Sequence, residues 1–121
     1  MAAILTVDDS ASIRQTIKIA LGVAGHEISE ATNGVDGLSK ADAGKFDLII
    51  TDLNMPEMDG LAMIRELRKK TAYAGVPILF LSTENDTNMK SQAKAAGATG
   101  WLTKPFAADQ LVRIVEKVLA R

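Results

Sequence analysis

Short apolar runs alternate with longer segments of helical periodicity along the whole chain, and this alternation constrains the fold more than any other feature. Between the runs, apolar residues recur three and four positions apart, which is typical of helices that cover a sheet with one face. The last helical segment is the clearest, with an apolar stripe from Leu111 to Leu119. The runs themselves have the length of β-strands and lie at Ile4–Val7, Phe46–Thr51 and Ile78–Leu81.

Two weaker strands are predicted at Glu27–Ala31 and Thr99–Thr103, where polar and apolar residues mix. Continuous apolar runs suit strands covered on both faces, so we place the three strong strands in the centre of the sheet and the weak ones at its edges. Strands that alternate with helices indicate a parallel sheet with helices on both faces. We therefore expect one α/β domain over residues 1–121, a doubly wound five-stranded sheet of order 2-1-3-4-5 flanked by five helices, with no output domain.

Composition is that of a small globular domain and excludes several functions. The chain has 121 residues, 47% of them apolar, and no cysteine. At this length about two-thirds of the unfolded chain's surface can be buried, which is enough for one core. Disulfides, thiol catalysis and cysteine-ligated zinc are excluded. The first residues have no basic leader and no apolar run reaches the length of a membrane span, so we expect a cytoplasmic protein with no membrane partner.

Charge is balanced overall but divided along the chain. The net charge of −1 argues against nucleic-acid binding. Residues 1–60 carry 4 basic and 10 acidic side chains, whereas residues 61–121 carry 10 basic and 5 acidic ones. We expect most of these charges to lie on solvated faces. The basic run Arg68-Lys69-Lys70 is predicted to complement the dipole at the end of the third helix and to be solvated.

Polar side chains follow four of the predicted strands. In open α/β sheets the ligand site forms beyond the carboxyl ends of the strands, where the strand order reverses. The residues at these ends are Asp8 and Asp9 after the first strand, Asp52 after the third, Ser82 after the fourth and Lys104 after the fifth. Three carboxylates, one hydroxyl and one ammonium are therefore expected to converge from distant parts of the sequence.

Carboxylates that face one another repel, and a divalent cation removes the repulsion. Mg²⁺ prefers oxygen ligands and is usually held by one or two carboxylates together with phosphate oxygens. The single histidine, His26, lies before an edge strand and is predicted to be a surface residue. Lys104 and the Ser82 hydroxyl suit phosphoryl oxygens, and an aspartate such as Asp52 can accept a phosphoryl group as an acyl phosphate. The residues thus point to aspartyl phosphorylation.

Each of these residues also has a purely structural interpretation. An isolated Asp8-Asp9 pair would most simply cap the first helix, and Asp59 is predicted to cap the third. Lys104, taken singly, would most simply be solvent-facing, and Ser82 on its own would indicate no function. Trp101, on an edge strand, is often just a packing residue. Their joint occurrence at the ends of neighbouring strands favours the functional interpretation.

Four segments resemble the signature segments of response-regulator receiver domains, in the family's order and spacing and across the whole chain. The resemblance is to the stand-alone, CheY-like chemotaxis type and implies a flavodoxin-like fold. Since the chemotaxis member of the family is a standard example of strand order 2-1-3-4-5, that order is not independent support. The segments are Val7-Asp8-Asp9-Ser10, Asp52-Leu53-Asn54-Met55-Pro56-Glu57-Met58-Asp59-Gly60, Leu81-Ser82-Thr83-Glu84 and Lys104-Pro105-Phe106.

The resemblance implies a role for each matching residue. Asp52 would be the phosphoacceptor. Asp9 and Asp52 would bind Mg²⁺, with Asp8 acting largely through water and the backbone carbonyl of Asn54 as a further ligand. By the same resemblance Ser82 would move to hydrogen-bond the phosphoryl group, and Lys104 would pair with its charge. Trp101 would change rotamer with Ser82. Asn54 and Glu84 would influence the lifetime of the acyl phosphate.

A signalling switch is the function that the resemblance implies. A sensor histidine kinase would donate the phosphoryl group, and the surface formed by the fourth helix (about 85–96), the fifth strand and the fifth helix would then bind a separate output protein. The flagellar motor switch is the first expectation for that partner, and a phosphorelay or a phosphate sink is the second. We expect a monomer whose acyl phosphate is lost by hydrolysis, with a phosphatase as a further partner.

Two functions of other classes are weighed against the switch. An aspartate-nucleophile phosphatase of the haloacid dehalogenase type would need Asp-x-Asp, which Asp52-x-Asn54 only approximates, and a longer chain. Flavin electron transfer on the same fold would need a phosphate-cradling first loop, and Asp8-Asp9 would repel that phosphate.

Overall fold

The computed structural model describes residues 2–53, 55, 57–83 and 87–120. None of the helices within these ranges combines the length and the apolar content needed to cross a bilayer. Strands and helices alternate as the sequence predicts. They are β1 (Ala3–Val7), α1 (Ala11–Val23), β2 (Glu27–Ala31), α2 (Gly34–Ala43), β3 (Leu48–Asp52), α3 (Gly60–Lys69), a 3₁₀ turn (Thr71–Tyr73), β4 (Ile78–Ser82), α4 (Thr87–Ala96), β5 (Gly100–Thr103) and α5 (Ala108–Leu119).

The five strands form one parallel sheet in the order β2-β1-β3-β4-β5, which confirms the predicted topology. The central strands β1, β3 and β4 are almost entirely buried, whereas the edge strands β2 and β5 consist mainly of half-buried residues. This difference explains why the edge strands have mixed sequences. Because all strands run in one direction, their carboxyl ends meet along a single edge of the sheet.

Two hydrophobic cores lie on opposite faces of the sheet. Helices α1 and α5 cover one face through residues such as Ile17 and Val115, which are fully buried. Helices α2, α3 and α4 cover the other face, where Met63 and Leu67 of α3 are fully buried. Helix α4 contributes least, with Ala93 as its one buried residue among those described.

Side chains cap three of the helices at their amino ends. Asp59 accepts a hydrogen bond from the Ala62 N–H at 2.8 Å, as predicted. The Asn33 side-chain oxygen accepts one from the Asp36 N–H at 2.8 Å. The cap of α1 is Ser10, whose hydroxyl accepts from the Ile13 N–H at 3.3 Å. The structural interpretation of Asp8-Asp9 as a helix cap is therefore wrong, and this pair is left for another role.

Two expectations about local structure differ from the structure. Strand β3 begins at Leu48 rather than Phe46, because the Asp47 side chain turns to accept the Ala3 N–H at 2.9 Å. Within the basic run, Lys69 is exposed, but Arg68 is half-buried and its guanidinium donates to backbone carbonyls, so the prediction of a solvated Arg68 is wrong. Arg68 directly follows the fully buried Leu67, so its side chain starts at the margin of the packed face of the helix and reaches the carbonyls of neighbouring segments.

We predict opposite effects of alanine at two helical glycines. A methyl group at Gly60 would overlap the Asp52 carbonyl oxygen and lie 2.6 Å from the Phe80 ring, so Gly60→Ala should destabilise the fold by about 1–3 kcal/mol. Gly22 has open space around it, and Gly22→Ala should add about 1 kcal/mol of helix propensity. Urea unfolding of both variants measures the difference, and equal free energies of unfolding would contradict the close packing at Gly60.

Candidate functional site

Each of the five residues singled out at strand ends lies at the carboxyl edge of the sheet. Asp8 and Asp9 directly follow β1, and Asp52 is the last residue of β3. Ser82 is the last residue of β4, and Lys104 follows the last residue of β5. The structure therefore brings these side chains to the point where the strand order reverses, between β1 and β3.

Three carboxylates form the centre of this site. One oxygen from each of Asp8, Asp9 and Asp52 lies within 4.8 Å of the other two. Their exposure differs, because Asp8 is buried, Asp52 is half-buried and Asp9 is exposed. Because Asp9 is exposed and Asp8 is buried, an ion can reach the cluster from the Asp9 side.

Lys104 bridges two of the carboxylates. Its ammonium nitrogen lies 2.9 Å from Asp8 Oδ2 and 3.3 Å from Asp52 Oδ1. The side chain of Lys104 is only 13% exposed, so solvent screens these ion pairs less than it would on the surface. Lys104 thus compensates part of the negative charge, and the three carboxylates still leave a negative excess.

Burial raises the pKa of Asp52 above its ordinary value of 3.8, and repulsion by Asp8 raises it further. The Lys104 ammonium and the Leu53 N–H, which donates to Asp52 Oδ1 at 2.8 Å, act in the opposite direction. The net shift is upward, which means that the folded chain resists the ionised form of Asp52. Any added cation near Asp52 would relieve this cost.

Arg14 supports the site from α1, and the sequence analysis missed it. Its guanidinium donates to the Asp8 carbonyl at 2.6 Å and pairs with Glu30 of β2 at 3.1 Å. The Asp8 carboxylate is held in turn by the Ser10 N–H, 2.9 Å from Asp8 Oδ1. A cation in the first turns of a helix opposes the helix dipole, and this unfavourable placement is the signal that could have identified Arg14.

Two close contacts hold the segment between β3 and α3. The Gly60 N–H donates to the Leu53 carbonyl at 2.9 Å, and the Gly34 N–H donates to the Met58 carbonyl at 3.1 Å. Gly34 and Gly60 have no room for a side chain at these positions. The described residues do not include Asn54, which is predicted to bind Mg²⁺ through its backbone carbonyl. Nor do they include Glu84, which is predicted, like Asn54, to influence the lifetime of the acyl phosphate.

Ser82 and Trp101 continue the site toward the edge strand. Ser82 is buried, and its carbonyl accepts the Lys104 N–H at 2.8 Å. Trp101 is half-buried, and its ring centroid lies 5.6 Å from that of Phe80 on the neighbouring strand. The indole N–H is buried and finds no acceptor among the described residues, which leaves a polar group whose burial is uncompensated.

The chemistry available at this edge is that of hard oxygen ligands beside one ammonium. His26 lies near the opposite edge, before β2, where its Nδ1 accepts the Ala2 N–H at 3.1 Å. The described part of the site therefore contains neither imidazole nor thiol, and its donor set suits Mg²⁺ better than softer metals. An aspartate beside a lysine and a cation site can receive a phosphoryl group.

Comparison with known proteins identifies the family. Residues 4–116 match the model of the response regulator receiver domain, a family of signalling domains. The chain belongs to this family. It has the fold and the acidic site of the CheY-like receiver domains of two-component signal transduction.

Two curated relatives and two solved structures show the extent of the similarity. The chain is 33% identical over 121 residues to the DNA-binding dual master transcriptional regulator RpaA of Synechocystis, and it spans half the length of that protein. It is 36% identical over 118 residues to the chemotaxis protein CheY1 of Helicobacter pylori, with 96% of this chain and 95% of CheY1 covered.

The chemotaxis response regulator CheY4 of Vibrio cholerae is similar in structure, with a TM-score of 0.94, 44% identity and 98% of both chains covered. The Thermotoga maritima response regulator TrrA, solved in complex with Mg(2+)-BeF, has a TM-score of 0.87 and 35% identity, covering 98% of this chain and 99% of TrrA.

We predict that Asp52→Asn raises the melting temperature at pH 7 in metal-free buffer. The ionised form of Asp52 costs the folded chain stability because its pKa is raised, and an amide removes that cost while it can still accept the Leu53 N–H. As pH falls through the raised pKa toward 3.8, wild-type Asp52 becomes protonated and the advantage of the variant should disappear.

Thermal denaturation of both proteins between pH 4 and pH 8 provides the measurement. Asp42→Asn is the matched control, since Asp42 pairs with Lys70 on the surface at 2.9 Å and should change little. An Asp52→Asn protein that is less stable than wild type at pH 7 would show that the site does not destabilise the ionised form.

Proposed function

We propose that this chain is a phosphoacceptor switch in which Asp52 receives a phosphoryl group. The observation that carries the proposal is the Lys104 ammonium, which lies between Asp8 and Asp52 beside a three-carboxylate cluster. A lysine in this position can form a charge-assisted hydrogen bond to a phosphoryl oxygen on Asp52. We propose that the donor is a phosphohistidine on a sensor histidine kinase.

The transfer step balances without a further reactant. A carboxylate oxygen of Asp52 attacks phosphorus, a P–O bond forms, and the P–N bond to the donor imidazole breaks. The electron pair of that bond stays on the ring nitrogen, so the imidazole leaves neutral when its other nitrogen carries a proton. Lys104 can turn from Asp52 Oδ1 to the phosphoryl oxygens while it keeps its contact with Asp8.

Asp8, Asp9 and Asp52 are the residues that would hold Mg²⁺, and the Asn54 carbonyl would complete the protein ligands. The fit is supported by the oxygen donors within 4.8 Å of one another and by the raised pKa of Asp52, both of which indicate a deficit of positive charge. Bound there, the ion would neutralise charge on the phosphoryl oxygens. The Mg(2+)-BeF complex of the related TrrA is consistent with this assignment.

Ser82 and Trp101 would pass the change to a distant surface. A Ser82 hydroxyl that hydrogen-bonds the new phosphoryl group would vacate space at the end of β4. The buried indole N–H of Trp101 finds no acceptor among the described residues in the present position, so a rotation that gives it a partner is favoured. Trp101 lines a cavity of about 270 Å³ with Lys90, Lys94 and Ala98, so this rotation would reshape the surface of α4 and β5.

We propose that the surface of α4, β5 and α5 binds a separate output protein, with the flagellar motor switch as the first candidate. The similarity to the chemotaxis proteins CheY1 and CheY4 supports a role in chemotaxis. A phosphorelay intermediate or a phosphate sink would use the same phosphoacceptor and is the alternative. Asn54 and Glu84 are proposed to influence hydrolysis of the acyl phosphate, alone or with a phosphatase.

Phosphorylation at Asp52 is directly testable with a small phosphoryl donor. With Mg²⁺ and phosphoramidate, wild-type protein should gain one labile phosphoryl group, and Asp52→Asn should gain none, because an amide is a poor nucleophile. Intact-protein mass spectrometry gives the stoichiometry, with Asp42→Asn as a control that should label normally. Equal labelling of Asp52→Asn would refute the assignment, and repeated turnover of a phosphate ester would indicate a phosphatase instead.

Mg²⁺ should stabilise the folded chain. At a concentration ten times its Kd, one bound ion contributes about 1.4 kcal/mol, which corresponds to a rise in Tm of about 5 °C for a domain of this size. Asp9→Asn removes an exposed ligand and should largely abolish the shift. Differential scanning fluorimetry with increasing MgCl₂ measures it, and a wild-type Tm that does not respond at millimolar Mg²⁺ is incompatible with the site.

A further inference from the structure

Arg68, in the last turn of α3, makes an unusual set of contacts. Its guanidinium donates to the Gly97 carbonyl from Nε at 3.2 Å and from Nη2 at 2.6 Å. From Nη1 it donates to the Tyr73 and Val76 carbonyls, both at 2.7 Å, and more weakly to Ala74 at 3.4 Å. One side chain thus joins the end of α3, the segment that leads into β4 and the end of α4.

These hydrogen bonds stabilise the positive charge of the Arg68 guanidinium without a counter-ion. No carboxylate in the described part of the chain pairs with Arg68, and burial lowers the pKa of its guanidinium. Hydrogen bonds from a charged donor are stronger than neutral ones, and here several of them act on carbonyls at fixed positions. The planar guanidinium can reach carbonyls on two sides at once, which a lysine ammonium at the same position cannot do.

Helix α4 buries few residues in the core. Ala93 is its one buried residue among those described, and Met89 and Ala96 are half-buried against the core. The remaining described residues of α4 are exposed. Because α4 buries little apolar area, polar contacts at its ends contribute strongly to fixing its position.

The carboxyl end of α4 is closed around Gly97. Gly97 has φ +112°, and its N–H donates to the Lys94 carbonyl at 3.0 Å while the Ala98 N–H donates to Ala93 at 2.9 Å. The Gly97 carbonyl then receives both bonds from Arg68. A Cβ at Gly97 would lie 2.8 Å from Arg68 Nε, so glycine is needed for the conformation and for the approach of Arg68.

The other end of α3 contacts the phosphorylation site. Gly60, the first residue of α3, packs so closely on the Asp52 carbonyl that a methyl group would overlap it. Helix α3 is otherwise fixed in the core through Met63, Ile64 and Leu67, all fully buried. Arg68 therefore connects the end of α4 to the helix that has the most buried residues, among those described, on this face of the sheet.

We propose that Arg68 is a positioning residue of the switch, which holds the carboxyl end of α4 at Gly97 as a fixed pivot. The inference rests on the proposed function, because the movement it directs starts at Ser82 after phosphorylation of Asp52. With Gly97 fixed, that movement displaces the amino end of α4, at Thr87. Arg68 thereby decides which part of the output surface changes.

Hydrogen exchange in Arg68→Lys tests the clamp in the unphosphorylated protein. The amides of Gly97 and Ala98 should exchange roughly tenfold faster or more, while the slowest amides of β1 and β3 stay within about twofold of wild type. Arg65→Lys is the matched control, because Arg65 is exposed on the same helix and should leave all rates unchanged. Wild-type protection at Gly97, or equal acceleration throughout the chain, would overturn the proposal.

Exchange after phosphorylation with phosphoramidate and Mg²⁺ tests the pivot. In wild type, the change in exchange should be concentrated at the Thr87 end of α4, and in Arg68→Lys it should extend to residues 94–98. The Trp101 emission change on phosphorylation should also differ between the two proteins. Arg68→Met keeps the length of the side chain and removes all of its donors, so it should reproduce both results if Arg68→Lys folds poorly.

Mass spectrometry on the same samples separates the two proposals. A wild-type chain that takes up no phosphoryl group refutes the proposed function and the pivot with it. Normal labelling of both proteins, with the same distribution of exchange along α4 and the same Trp101 response, refutes the pivot alone.

Discussion

Electrostatic repulsion among Asp8, Asp9 and Asp52 is the constraint on which the site depends. The parallel sheet brings the three carboxylates together because β1 and β3 are neighbours that end at the same edge. Lys104 offsets part of the repulsion through its contacts with Asp8 and Asp52. A folded state that keeps such a cluster is less stable for it, as the raised pKa of Asp52 indicates, and a cation bound beside the cluster would restore part of that stability.

Much of the fold and the position of the site could be predicted from the sequence. The apolar runs predicted the three central strands because burial on both faces requires mainly apolar residues in β1, β3 and β4. The edge strands β2 and β5 were predicted from weaker, mixed segments. The rule that ligands bind beyond the carboxyl ends of parallel strands then selected Asp8, Asp9, Asp52, Ser82 and Lys104, which the structure brings to one edge. The roles of these residues remain predictions.

The contacts of several individual side chains could not be predicted, because they depend on side-chain direction rather than on pattern. Arg68 was expected in solvent, yet it donates to carbonyls of segments up to 29 positions away. Arg14 reaches back to Asp8, and Ser10 rather than the aspartate pair caps α1. From the sequence alone, each of these residues would be assigned an ordinary surface role. Their contacts depend on which segments pack beside them in the folded chain.

The shallow attachment of α4 also determines how much substitution this helix tolerates. Ala93 is its one buried residue among those described, and its exposed positions face no packing requirement. Surface substitutions of this kind usually change stability by less than about 0.5 kcal/mol. Exposed residues of α4 can therefore be replaced with little loss of stability, so the charge and polarity of this surface can vary independently of the sheet and its carboxyl edge.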